Sequence, residues 1–178
     1  MLWGAHHRKL LGLAGTGDTL TDSQREVSRA ILKEIADYER RINLWGGPGA
    51  GKTFVSHYLH HQMEVLYFPS PESYQSSEIS QGDAILIDNA PHERQSARLI
   101  FGDILWSSAS AVILITRQPI DDAVRRIELS LTNADLKSIE IVIHEQLGDF
   151  EIGDINRLNT QQSGMWLYLK KTIDNEPI

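Results

Sequence analysis

The chain has 178 residues, no cysteine and a net charge of -7 at neutral pH. That length suits one domain with a small appendage, and the missing cysteines exclude disulfides and thiolate metal sites. The acidic balance does not favour strong direct nucleic-acid binding, which calls for a basic face, and no apolar run is long enough to predict a membrane span.

Residues 1–20 are Gly-rich and read as an irregular N-terminal arm. The opening MLWGAHHRKLLGLAG has some signal-peptide flavour, but its apolar run is very short and its first residues are not clearly basic. A cytoplasmic location is therefore expected. TDSQREVSRAILKEIADYE then reads as a helix. Thr21 and Gln24 form a T-x-x-Q capping box, and Val27, Ile31 and Ile35 make one apolar stripe.

Arg41 to Trp45 is a short apolar run ending on glycines and predicts a buried strand. GGPGAGKT follows at Gly46 to Thr53, a full match to the phosphate-loop pattern G-x-x-x-x-G-K-[ST]. KTFVSHYLHHQM continues as a helix, and EVLYF is a second strand. PSPESYQSSEISQG reads as a loop with one helical turn. DAILID (Asp83 to Asp88) is a third strand, ERQSARLIFGDILWSS an amphipathic helix, and AVILIT (Ala111 to Thr116) a fourth strand. RRIELSL suggests a fifth. Near-continuous apolar strands separated by helices predict an α/β fold, a five-stranded parallel sheet sandwiched by helices.

From Thr132, a good N-cap followed by Asp135, a helix is favoured because Leu136, Ile139, Ile143 and Leu147 share one face. The segment IEIVI has strand character of its own. Shorter helices are expected in GDINRLN and GMWLYLKKTI. The division is thus an arm over 1–20, a nucleotide-binding core over 21–131 and a small C-terminal helical lid over 132–178.

The chemistry follows from residue types. In a phosphate loop, glycines let successive backbone N–H groups turn inward around an anion, and the next helix adds its N-terminal dipole. Gly46, Gly47, Pro48, Gly49, Ala50, Gly51, Lys52, Thr53 and Phe54 are the expected nucleotide-binding residues. Lys52 would contact the β- and γ-phosphates, and Thr53 would bind Mg²⁺. Asp88, at the end of an apolar strand, has the character of a Walker B carboxylate and a second Mg²⁺ contact. The next residue is Asn89, which can position water but cannot take its proton. His92 and Glu93 are the nearby alternatives, and each also reads as a surface residue. Thr116, with Arg117 beside it, suits a γ-phosphate sensor or a plain strand-end cap. Arg125 and Arg126 stand where a subunit-bridging arginine finger would lie, or are surface charges pairing with Asp121 and Asp122.

In this order the phosphate loop, AILIDN, VILITR, the paired arginines and the tail resemble an AAA+ type P-loop ATPase. The likeness is to the DnaA/Hda-like and related loader or regulatory ATPases, and runs from about Ile31 to Ile173. It implies a five-stranded parallel sheet with a helical lid, holding ATP or ADP with Mg²⁺ between them. The chain departs from that pattern. No Arg follows Gly164, where such proteins often carry a second nucleotide-sensing Arg, and Arg157 is the available stand-in. A regulatory or adaptor role is implied rather than replication initiation. LTDSQREV is also similar to the Q motif of superfamily-one helicases, which implies that Gln24 reads adenine.

The expected function is a nucleotide-dependent switch with weak intrinsic ATP hydrolysis, which assembles with itself or with a partner protein. GGPGAGK also resembles the loop of nucleoside monophosphate kinases, which keeps a small-molecule kinase as the alternative. A catalytically inactive nucleotide-binding subunit of a larger complex is the third reading.

Overall fold

The computed structural model describes residues 8, 11–74, 79–106, 109–121 and 125–147. The expected tail helices, Arg157 and Asp122 lie outside them. So does the rest of the lid region, from 148 onward.

Five strands form one parallel sheet: β1 (Arg41–Trp45), β2 (Leu66–Phe68), β3 (Ala84–Ile87), β4 (Ala111–Thr116) and β5 (Arg125–Glu128). The order across the sheet is β2-β3-β4-β1-β5. The helices are α1 (Asp22–Ala36), α2 (Lys52–Met63), α3 (Arg94–Trp106) and α4 (Asn133–Leu147). No helix among the described residues is long and apolar enough to cross a membrane.

The two faces of the sheet carry separate cores, because alternate strand residues point to opposite sides. Ile42, Leu44, Leu86, Ile113 and Ile115 pack with Val27 and Ile31 of α1 and with Val55 and Leu59 of α2. Ile85, Ile87, Val112 and Leu114 pack with Ala97, Phe101 and Ile104 of α3. Burial on both faces is why β3 and β4 read as unbroken apolar runs.

The strands are shorter than the apolar runs, for local reasons. Glu64 adopts a left-handed conformation (φ 55°) that ends α2 and leaves β2 to start at Leu66. Asp83 accepts from Ser80 N at 2.7 Å in a turn before β3. Asp88 turns the chain after it, accepting from Asn89 N at 2.8 Å. The single helical turn expected in the polar loop is a 3₁₀ turn at Pro71–Ser73.

Two regions differ from expectation or settle an ambiguity. Residues 11–16, expected to be irregular, are helical. Ala14, within that stretch, and Leu20 after it are buried against Phe54. The IEIVI segment is helical, within α4, which starts on a capping box. Thr132 N donates to Asp135 Oδ2 at 2.7 Å, and Asp135 N donates to Thr132 Oγ1 at 3.2 Å.

Candidate functional site

The carboxyl ends of β1, β3 and β4 meet at one edge of the sheet, where open parallel sheets bind ligands. A cleft of about 500 Å³ opens there. It is lined by the loop residues Pro48, Gly49 and Gly51, by Lys52 to Phe54, by Asp88 to Ala90, by His92 and by Ile115 to Arg117. Residues from three separate stretches of chain are thus brought together.

The loop's glycines are demanded by its shape. Gly49 and Gly51 have φ of 79° and 84°, in the left-handed region that suits glycine. At Gly46 a Cβ would collide with the Leu129 carbonyl oxygen, just beyond β5. Gly51 is the N-cap of α2, and no side chain caps that helix end. The first N–H groups of a helix have no intrahelical acceptor, so they favour an anion.

Lys52 reaches back over the loop. Its Nζ donates to Gly46 O at 2.6 Å and to Gly47 O at 3.0 Å. Burial lowers the pKa of this ammonium; Asp88 opposes the shift, and the Arg117 charge adds to it. Thr53 Oγ1 donates to Asp88 Oδ2 at 2.8 Å. Tyr67 OH donates to the same oxygen at 3.4 Å. Burial pushes the Tyr67 hydroxyl up, and Asp88 adds to the shift, so the phenol stays protonated as a donor.

Asn89 lines the cleft beside Asp88. Its backbone is left-handed (φ 53°), and its Nδ2 donates to Pro69 O at 3.0 Å, tying the turn after β3 to the loop after β2. His92 lines the cleft and Glu93 does not. Their Nε2 and Oε1 atoms stand 4.0 Å apart. Asp88 is the one carboxylate among the described lining residues.

Thr116 lies at the end of β4, between β1 and β3. Its hydroxyl donates to Gln118 O and accepts from Asn43 Nδ2 at 2.9 Å. Asn43 was not singled out from the sequence. It is 0% exposed, and its Oδ1 accepts from Ile120 N at 2.9 Å. The signal was one amide inside an otherwise apolar strand.

Gln24 is turned to the loop. Its Oε1 accepts from Thr21 N at 3.0 Å, and its Nε2 donates to Ala50 O at 3.2 Å. The ring of Phe54 is buried against Ala14 and Leu20. Arg125 Nε donates to Glu34 Oε1 at 2.7 Å, an ion pair with α1. Arg125 aligns with Ile42 and Arg126 with Asn43, below the level of the cleft at Trp45 and Thr116. The chain's own cleft therefore receives neither of them. Arg94 and Arg98 line a groove on α3, on the other face of the sheet from α1.

A comparison with protein-family models finds no match. A comparison with curated protein sequences returns no relative.

The residues suit a magnesium nucleotide on geometry alone. The glycine cradle lets backbone approach closely, and Thr53 and Asp88 already face one another. Among the described residues no cluster of three or more His, Cys, Asp or Glu side chains is placed to hold a metal. That is compatible with Mg²⁺, which commonly takes one or two protein oxygens and leaves the rest to phosphate and water.

Proposed function

We propose that this chain binds ATP or ADP with Mg²⁺ and acts as an AAA+-like nucleotide switch, read by a partner protein or by its own copies. The observation that carries the reading is the placement of GGPGAGKT. It spans the end of β1 and the start of α2, with Thr53 Oγ1 2.8 Å from Asp88 Oδ2 on β3's end. The loop's N–H groups and the uncapped end of α2 would hold the phosphates. Lys52 would exchange its contacts with Gly46 O and Gly47 O for phosphate oxygens. Thr53 and Asp88 would hold the metal, which when bound neutralises phosphate charge.

Hydrolysis would be slow. A hydrolytic site needs a group that takes a proton from water. Asn89 cannot, its amide nitrogen donates to Pro69 O, and Asp88 would be taken up by the metal, which leaves His92 as the lining side chain able to accept a proton. This favours a site that holds a nucleotide over one that turns it over.

Titration calorimetry and a fluorescent nucleotide analogue test the reading. Lys52→Ala should weaken ATP and ADP binding at least about tenfold, the value of one charge-assisted hydrogen bond or more. No binding by the wild-type chain, or equal binding by Lys52→Ala, overturns it. Phosphate transfer to a nucleoside monophosphate would replace it with the kinase reading.

A further inference from the structure

The first turn of α1 touches both the phosphate loop and α4. Gln24, 1% exposed, donates from Nε2 to Ala50 O at 3.2 Å. One residue earlier, Ser23 donates to Asp135 twice, from its backbone N at 3.1 Å and from Oγ at 2.7 Å. Asp135 is 3% exposed and also accepts from Thr132 N at 2.7 Å and Thr132 Oγ1 at 2.6 Å. Burial pushes its carboxyl up, but the bonds from Ser23 and Thr132 outweigh it and hold the group well below the usual carboxylate range. Four hydrogen bonds from Ser23 and Thr132 thus hold it as an anion.

The Thr132 bonds are what starting α4 requires. The Ser23 bonds do something else: they join two helix N-termini 112 residues apart in sequence. From Ser23 the path to the loop is one residue of helix and one amide.

We infer that Asp135 is a positioning residue for the phosphate loop. Through Ser23 and Gln24 it fixes the Ala50 carbonyl, and so sets how tightly the loop holds a nucleoside di- or triphosphate. The inference rests on the nucleotide reading above. Its physical basis is the peptide plane. In a trans peptide the C=O and the following N–H point in opposite directions. Pinning Ala50 O toward Gln24 therefore aims the Gly51 N–H away from Gln24, and Gly51 lines the cleft. Without the pin, a stretch flanked by two left-handed glycines has wide backbone freedom. Whatever undocks α4 from Ser23 then loosens the nucleotide without touching it.

Asp135→Asn, Ser23→Ala and Gln24→Ala are compared well below their melting temperatures. Two readouts are used: amide hydrogen exchange across 46–53 without nucleotide, and the ADP dissociation constant. Each variant should speed exchange in the loop and weaken ADP about three- to tenfold, a coupling common among residues in one network. The double variant of Asp135→Asn and Gln24→Ala should lose no more than Gln24→Ala alone. Lower melting with unchanged loop exchange and unchanged ADP affinity overturns the inference. So does a double variant whose losses add. If Asp135→Asn does not fold, Ser23→Ala keeps the backbone bond and decides by the same readouts. A wild-type chain that binds no nucleotide overturns the nucleotide reading instead, and loop exchange alone then decides whether the strut holds the loop.

Discussion

Gly46 and Gly47 are neighbours in the same loop, yet the structure gives them unequal roles. A Cβ at Gly46 runs into the backbone carbonyl of Leu129, whereas a Cβ at Gly47 meets nothing within 4 Å. Leu129 cannot easily retreat, since its own N–H donates to Trp45 O at 2.8 Å. Gly46→Ala should therefore destabilise the fold by about 1–3 kcal/mol, the usual range for forced overpacking. Gly47→Ala should stay within about 0.5 kcal/mol. Urea unfolding of the two variants measures the contrast, and equal losses would refute it. Asn43 makes a second case at this scale. Asn43→Leu fits the strand pattern better but strands the Ile120 N–H and frees Thr116 Oγ1. A buried donor left unpaired costs about 1–3 kcal/mol, and a loss of that size is expected by urea unfolding. The loop's residue types were legible because the motif is local. The role of Asn43 and the contact of Gln24 with the loop were not, because their partners Thr116 and Ala50 lie 73 and 26 residues away.

Among the elements, α1 and α4 are started by similar local chemistry, and each cap also reaches outward, Gln24 to Ala50 O and Asp135 to Ser23. Thr21 and Gln24 close a box upon themselves, and Thr132 with Asp135 closes another. The helix over IEIVI was legible from that cap and from Leu136 and Ile139, which are both buried. The docking of Asp135 onto Ser23 was not, since nothing local distinguishes a cap that turns outward from one that does not. The bonded carboxylate has a pH signature. Its folded pKa lies below the unfolded value of about 4. Its stabilisation is therefore fully present above about pH 5 and is lost as the pH falls below about 4 toward the folded value. Asp135→Asn should be less stable than wild type by about 1–3 kcal/mol at pH 7, as for a hydrogen bond to a charged group. The gap should narrow steadily between about pH 5 and 2. Urea midpoints across that range check it, and a gap independent of pH would count against the carboxylate.

At the scale of the whole molecule, the strand runs were legible, and with them the place of AVILIT between the phosphate-loop strand and the Asp88 strand, but the full order was not. Parallel pairing is set by long crossovers that leave no mark within a strand. The order places β4 between β1 and β3, so Thr116 lies between the loop and Asp88, and it makes β2 and β5 the edges among the described residues. β5 carries Arg125, Arg126, Ile127 and Glu128, and all but Ile127 are exposed. A strand edge with unpaired N–H and C=O groups invites a second chain, and charged side chains there blunt that pairing. Assembly of copies edge to edge would bring the arginines of two copies alongside one another, like charge beside like charge. Replacing Arg125 and Arg126 together by valine removes that obstacle and raises strand propensity at the same time. The double variant should fold, because Arg125 and Arg126 are exposed and the one pair lost, to the half-buried Glu34, contributes about 1–3 kcal/mol. It should then associate with time and concentration, followed by light scattering, while the wild-type chain stays clear under the same conditions. A double variant that remains as dispersed as wild type would show that the edge is guarded by something other than its charges.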